Sequence, residues 1–325
     1  MPLTFDYPLD ELKKYQGINP RPSDFDAFWD NALQEMNAVD ADVELIPAEF
    51  QAEGCECFDM FFTGVGNARI HVKLLRPKQF TQPHPAVLMF HGYTGNSGDW
   101  MDKLGYVAQG FTVAALDCRG QGNISEDTGS VIGTTLHGHI IRGLDDALQG
   151  HPEKLMFRQV FLDTAELAKI VMAMPDVDPK KVGATGGSQG GALTVACAAL
   201  EPRIRKAAPM YPFLSDYKRV WSMDQGGQAY LELREYFRFF DPNHKKEDQV
   251  FEKLGYIDIQ NLAPRIKADV LWAIGLMDVT CPPSSQFAAY NKIVSKKSMV
   301  FYPDYDHEVL PGFSDKAFQF MMELK

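Results

Sequence analysis

Five short apolar runs punctuate the chain from residue 86 onward: AVLMF (86–90), FTVAAL (111–116), KVGAT (181–185), DVLWAIG (269–275) and SMVFY (298–302). They read as continuous runs rather than alternating apolar with polar residues, so the pattern predicts strands buried on both faces. Between them, residues 155–173 set Phe157, Val160, Phe161, Ala165, Ala168 and Val171 at helical spacing, and 189–200 and 285–294 read as further helices. Strand, helix and strand in succession predict an α/β fold, with a mostly parallel, doubly wound sheet and helices on both faces.

Upstream of these runs the pattern changes. Residues 23–36, SDFDAFWDNALQEM, predict an amphipathic helix with Ser23 or Asp24 as N-cap and Phe25, Phe28, Trp29 and Leu33 on one face. It belongs to an N-terminal helical extension, residues 1–40, expected to pack across the body. After the turn-like TGVGN (63–67), Ile70, Val72 and Leu74 alternate with polar residues, which predicts an antiparallel hairpin near the sheet edge, where the sheet should begin. Residues 123–154 and 211–262, rich in Gly, Asp, His and aromatics, break the alternation. They are expected to be insertions over the carboxyl ends of the strands, where lids and subunit contacts usually lie. No repeat or Ser/Gly linker divides residues 1–325, so a single decorated domain is expected.

Composition narrows the partners. A net charge of −11 repels phosphate backbones and anionic membrane surfaces, so neither nucleic acid nor a membrane is expected. The longest apolar stretch, Ala192–Leu200, is far short of the roughly 18 residues a membrane helix needs. The first twenty residues carry acids and prolines where a signal peptide needs a basic start and an apolar run. Five scattered cysteines fit reduced thiols better than a disulfide framework, so the expected compartment is the cytoplasm.

The chemistry is carried by Gly186-Gly187-Ser188-Gln189-Gly190, which follows the strand-like KVGAT and precedes the helix-like GALTVACAAL. That is the context of a G-x-S-x-G nucleophile elbow, in which glycines let the serine sit on a tight, strained turn. A serine hydroxyl needs a base, and the base an orienting acid, both downstream in this arrangement. Of the two histidines beyond Ser188, His244 lies in charged DPNHKKED, whereas His307 follows the strand-like SMVFY in PDYDHEVLPG. His307 is therefore the candidate base. Asp278, directly after DVLWAIG, is the candidate acid, with Asp304 and Asp306 as rivals in the loop of His307. Gln189 should supply one oxyanion N–H and Tyr93, in His91-Gly92-Tyr93-Thr94-Gly95, the other, with His91 a structural histidine. Cys55-x-Cys57 and His137-x-His139 lack a second pair to complete a metal set, and Gly120-Gln121-Gly122 lacks the third glycine of a dinucleotide site. No metal and no nucleotide cofactor are expected.

With these motifs on the page, the sequence resembles the carbohydrate esterase family of acetyl xylan esterases and cephalosporin C deacetylases, in the α/β-hydrolase superfamily. The likeness runs from PLDELKKYQG and DFDAFW through HGYTG, Arg119-Gly120-Gln121, SEDT (125–128), GGSQGG and GLMDVTCPPS to His307-Glu308. It implies a Ser188, Asp278 and His307 triad with Tyr93 and Gln189 as oxyanion donors, Arg119 and Gln121 as supports, and Glu308 steadying the loop of His307. It further implies a hexamer whose sites open on an internal chamber, with 211–262 helping to form contacts. One departure stands out: Lys154-Leu155-Met156-Phe157-Arg158 replaces a stretch that is often tyrosine-rich in relatives. The expected function is serine esterase action on small acetylated substrates, xylo-oligosaccharides and cephalosporin-type acetyl groups. The alternatives are a peptidase or longer-chain acyl hydrolase on the same triad, or a non-catalytic binding protein of the same fold.

Overall fold

The computed structural model describes residues 5–80, 82–122, 124–128, 138–224 and 229–325. Among these residues one nine-stranded sheet runs in the order β1-β2-β3-β5-β4-β6-β7-β8-β9. Its strands are β1 Glu44–Pro47, β2 Cys55–Thr63, β3 Arg69–Pro77, β4 His84–Phe90, β5 Thr112–Leu116, β6 Val177–Gly187, β7 Lys206–Met210, β8 Asp269–Gly275 and β9 Lys297–Tyr302. From β1 to β5 the pairings are antiparallel, and from β5 across to β9 they are all parallel. The predicted hairpin is β2–β3, and the sheet begins one strand earlier than expected, at β1. Its ELIP is exposed throughout, as an edge strand can be, which is why it carries no burial pattern.

The helices that frame the site are α1 Phe25–Ala38, α2 Met156–Met172, α3 Gln189–Leu200, α4 Tyr217–Ser222, α5 Leu231–Phe240, α6 Glu247–Leu254, α7 Pro283–Tyr290 and α8 Phe313–Met322. Strand β4 shows why its run is uniformly apolar. Ala86, Leu88 and Phe90 join the core that holds Phe157 of α2 and Leu193 of α3, while Val87 and Met89 face the core built with Phe313 and Met321 of α8. Helix α1 packs as expected through Trp29, fully buried, stacked on Phe161 at 6.1 Å and donating to the Tyr256 carbonyl at 3.0 Å. Asp24 stands at its N-cap, but its carboxylate accepts the Tyr256 hydroxyl at 2.6 Å instead of closing the helix end.

Two elements differ from the pattern-based reading. Strand β7, KAAPM, begins with a lysine and contains a proline, yet Lys206 is buried because its ammonium reaches Glu323 at 2.7 Å and lies 3.9 Å from the Phe320 ring centroid. The described residues of 211–262 follow the carboxyl end of β7, fold into α4, α5 and α6, and bury Tyr217, Tyr230, Tyr236, Phe237 and Phe251. The departure at 154–158 has a packing role: Arg158 is buried, pairs with Glu35 at 2.5 Å and lies over Phe28, fastening α1 to α2.

Candidate active site

Strand β6 ends at Gly187 and α3 starts at Gln189, so Ser188 alone makes the turn, with φ 57° and ψ −119°. A side chain in that region is strained by about 1–3 kcal/mol. The turn survives because its neighbours are glycines. A Cβ at Gly186 would stand 2.5 Å from the Phe90 carbonyl oxygen, and one at Gly190 would run into the same carbonyl. Backbone bonds clamp the turn from the next strand: Ser188 N–H donates to Met210 and Phe213 N–H to Ser188.

The Ser188 hydroxyl lies 3.0 Å from His307 Nε2, and His307 Nδ1 lies 2.8 Å from Asp278 Oδ2. The second oxygen of Asp278 accepts the N–H groups of Thr280 at 2.9 Å and Cys281 at 2.7 Å, which aims the carboxylate at the imidazole. Asp278 is fully buried, and burial pushes its carboxyl upward against the opposing pull of His307 and those two N–H groups. The loop of His307 is fixed from three sides. Tyr211 lies against the ring at 4.4 Å between centroids, Met277 N–H bonds the Tyr305 carbonyl, and Glu308 accepts the Asp306 N–H at 3.2 Å.

The rivals are placed elsewhere. Asp306 accepts the backbone N–H groups of His307 and Val279, so it ties the loop of His307 to the loop after β8. Asp304 is exposed. His244 bonds Glu247 at 2.8 Å with Trp221 and Phe237 against its ring.

Tyr93 and Gln189 lie in the loop after β4 and at the first turn of α3, and Gln121 joins the two. Gln121 Oε1 accepts the Thr94 N–H at 2.8 Å and the Gln189 amide at 3.2 Å, while Gln121 Nε2 donates to Gln189 Oε1 at 2.8 Å. Arg119 anchors the loop after β5 that carries Gln121: its guanidinium forms a two-pronged bond to Asp163 of α2 at 2.7 and 2.6 Å and reaches the Val65 carbonyl at 3.0 Å. His91 uses both ring nitrogens, one on the Gly92 carbonyl at 2.7 Å and one accepting Cys118 N–H at 3.0 Å. Gly120 and Gly122 have φ 71° and 72°, so the G-x-G fragment is a tight turn of the loop after β5.

Two residues beside the site are not evident in the sequence pattern. Cys281 is buried against Asp278 and Ser188, and burial lifts its thiol well above the usual range. Glu232 of α5 accepts the Tyr93 hydroxyl at 3.1 Å, and burial lifts its carboxyl to about 7. Asp278, Cys281 and His307 bring three possible metal-binding atoms within 4.8 Å of one another, but both His307 nitrogens already face protein partners. Of the two sequence pairs, Cys55 and Cys57 are buried with sulfurs 3.6 Å apart. His139 sets Nε2 3.2 Å from the Arg119 carbonyl, and His137 lies outside the described residues.

The acetyl xylan esterase (AXE1) family matches residues 1–324 of this chain. Acetyl xylan esterase 1 from Thermoanaerobacterium sp. JW/SL YS485 is 59% identical, with a TM-score of 0.95 over 98% of this chain and 99% of that one. Acetyl xylan esterase from Paenibacillus sp. R4 is 34% identical, with a TM-score of 0.92 over the same shares. Acetyl esterase Axe7A of Xylanibacter ruminicola is 26% identical over 302 residues, 91% of this chain, and the chain spans 65% of that relative's length. The elbow, its fold and a match from end to end agree: the chain belongs to the acetyl xylan esterase family, carboxylic ester hydrolases on the α/β-hydrolase fold.

Proposed function

We propose that this chain is a serine esterase that removes acetyl groups from small acetylated sugars, and by resemblance from the acetoxymethyl group of cephalosporin-type compounds. The observation that carries the reading is the unbroken hydrogen-bond chain from Asp278 through His307 to Ser188 at a strained elbow. Relatives called acetyl esterase or acetyl xylan esterase support the acetyl group as the acyl part.

In this reading Ser188 Oγ attacks the acetyl carbonyl carbon as its proton passes to His307 Nε2, and Asp278 steadies the resulting imidazolium. The carbonyl oxygen becomes an oxyanion facing the N–H groups of Tyr93 and Gln189. The intermediate collapses when His307 returns the proton to the departing sugar oxygen, leaving an acetyl-enzyme. Water, losing its proton to His307, attacks that ester, and acetate leaves as Ser188 regains its proton.

The proposed particle is a hexamer in the cytoplasm. Its support is three exposed apolar side chains at the two ends of α5, Leu231, Phe239 and Phe240, and five free, buried cysteines; among the described residues no helix is long and apolar enough to cross a membrane. Rates on p-nitrophenyl esters of rising chain length and on acetylated xylobiose test the substrate class. Acetyl should exceed butyryl by at least about tenfold, because a short acyl pocket has no room for extra methylenes; a preference for long chains or for peptides would refute the reading.

A further inference from the structure

Glu232 plays no part in the reaction steps above, yet it is an acid only 5% exposed on α5. Oε1 accepts the Tyr93 hydroxyl at 3.1 Å, and Oε2 accepts the backbone N–H groups of Ile140 and Ile141 at 2.8 and 3.0 Å. Tyr93 Oη in turn accepts the His139 N–H at 3.2 Å. A Cβ on residue 138 would collide with this carboxylate, and φ there is 123°, so the segment closes over the acid only because Gly138 is glycine. Three stretches distant in sequence thus meet on one carboxylate: the helix inserted after β7, the loop after β4, and residues 138–141.

The chemistry of this meeting point suits an acid. The two backbone N–H groups can only donate, and an ionised carboxyl accepts from them on one oxygen and from the hydroxyl on the other. An amide at 232 would keep the link, taking both N–H groups on its oxygen and donating its NH2 to the hydroxyl oxygen, so the link is cut only by removing the hydroxyl or shortening the side chain. The Tyr93 ring has little other freedom, since it stands edge-on to His139 at 5.6 Å and tilts against Phe213 at 5.7 Å. Its peptide lies next to Thr94, whose φ of 59° marks a strained turn tethered on the other side by Gln121. Anchoring the hydroxyl therefore anchors the peptide.

We propose that Glu232 is a positioning residue for ester hydrolysis: by holding the Tyr93 hydroxyl, it fixes the Tyr93 N–H where the substrate carbonyl oxygen becomes an oxyanion. The inference rests on the reading of Tyr93 N–H as an oxyanion donor. Such a donor acts more on the transition state than on bound substrate, so loosening it falls on kcat and spares KM.

Tyr93→Phe removes the hydroxyl and keeps the N–H, and Glu232→Ala removes the carboxylate that the hydroxyl meets. The assay uses p-nitrophenyl acetate at about pH 8, where a carboxyl raised to about 7 is ionised. Each variant should lose about tenfold in kcat with KM within about twofold of wild type. The double variant should match the worse single within about twofold, because both changes break one link. A Tyr93→Phe kcat within about twofold of wild type, or a double loss equal to the product of the singles, overturns the proposal. If Glu232→Ala does not fold, Tyr93→Phe decides by the same criterion. Ser188→Ala separates this inference from the reading beneath it. An active Ser188→Ala overturns the triad, whereas an inactive one beside a wild-type-like Tyr93→Phe overturns only the role of Glu232.

Discussion

Replacing Gln121 with alanine removes the side chain that ties the loop after β4 to the start of α3. The side chain is 6% exposed and makes three bonds, one to Thr94 N–H and two with the fully buried Gln189 amide. After truncation Gln189 Nε2 still has the Cys118 sulfur at 3.4 Å, but Gln189 Oε1 and Thr94 N–H both lose their partners. Gln189 Oε1 is fully buried, and orphaning it costs about 1–3 kcal/mol, whereas the N–H of the exposed Thr94 can turn to water. Water entering the vacated volume moves the expected loss toward the lower end of that range of about 1–3 kcal/mol. The same change frees the peptide after Tyr93, so kcat on p-nitrophenyl acetate should fall by at least about tenfold. Urea denaturation followed by intrinsic fluorescence gives the first quantity and steady-state kinetics the second. A loss below about 1 kcal/mol together with wild-type kcat would show that Gln121 holds nothing together, and the account of the oxyanion loop would fall.

Other predictions follow from the same geometry. Asp278→Asn should lower kcat by about three to four orders of magnitude, whereas Asp306→Asn, which keeps an acceptor for its two N–H partners, should cost less than about tenfold; the reverse order would make Asp306 the acid. His91 is held below its ordinary 6.5 by burial, so the unfolded chain takes up a proton there that the fold does not, and stability contributed at neutral pH is lost as pH falls below about 6.5. The urea midpoint should therefore drop less between about pH 7 and pH 5 in His91→Gln than in wild type, and equal drops would refute this. If subunits wall in the site, intact acetylated xylan should show a kcat/KM at least about tenfold below acetylated xylobiose, and equal values would exclude the chamber.

What could be read from the sequence was local. A serine between glycines, a run of buried strand before it and a helix after it are all consequences of one tight turn, so Ser188 could be found without any distant residue. The parallel strands were legible because burial on both faces leaves continuous apolar runs. Strand β7 was not, because Lys206 and Pro209 break the run and only a distant Glu323 and Phe320 make the lysine tolerable. The insertion helices were hidden for a related reason: α5 exposes Leu231, Phe239 and Phe240 beside Arg234 and Arg238, and its buried stripe is interrupted by Glu232 itself. That residue meets partners 139 and 92 positions away, which no local pattern reveals. Chain order left Asp278, Asp304 and Asp306 as candidates, and only the fold distinguishes a carboxylate on His307 Nδ1 from one on backbone N–H groups.

In the proposed reaction Ser188, activated by His307, is the nucleophile. Treating the protein with a fluorophosphonate ester and mapping the adduct by peptide mass spectrometry tests it most directly. One stoichiometric adduct on Ser188 is expected, formed quickly by the wild type, slowed by at least about a hundredfold in His307→Ala, and absent from Ser188→Ala. An adduct on another residue, or unchanged labelling in Ser188→Ala, would contradict it.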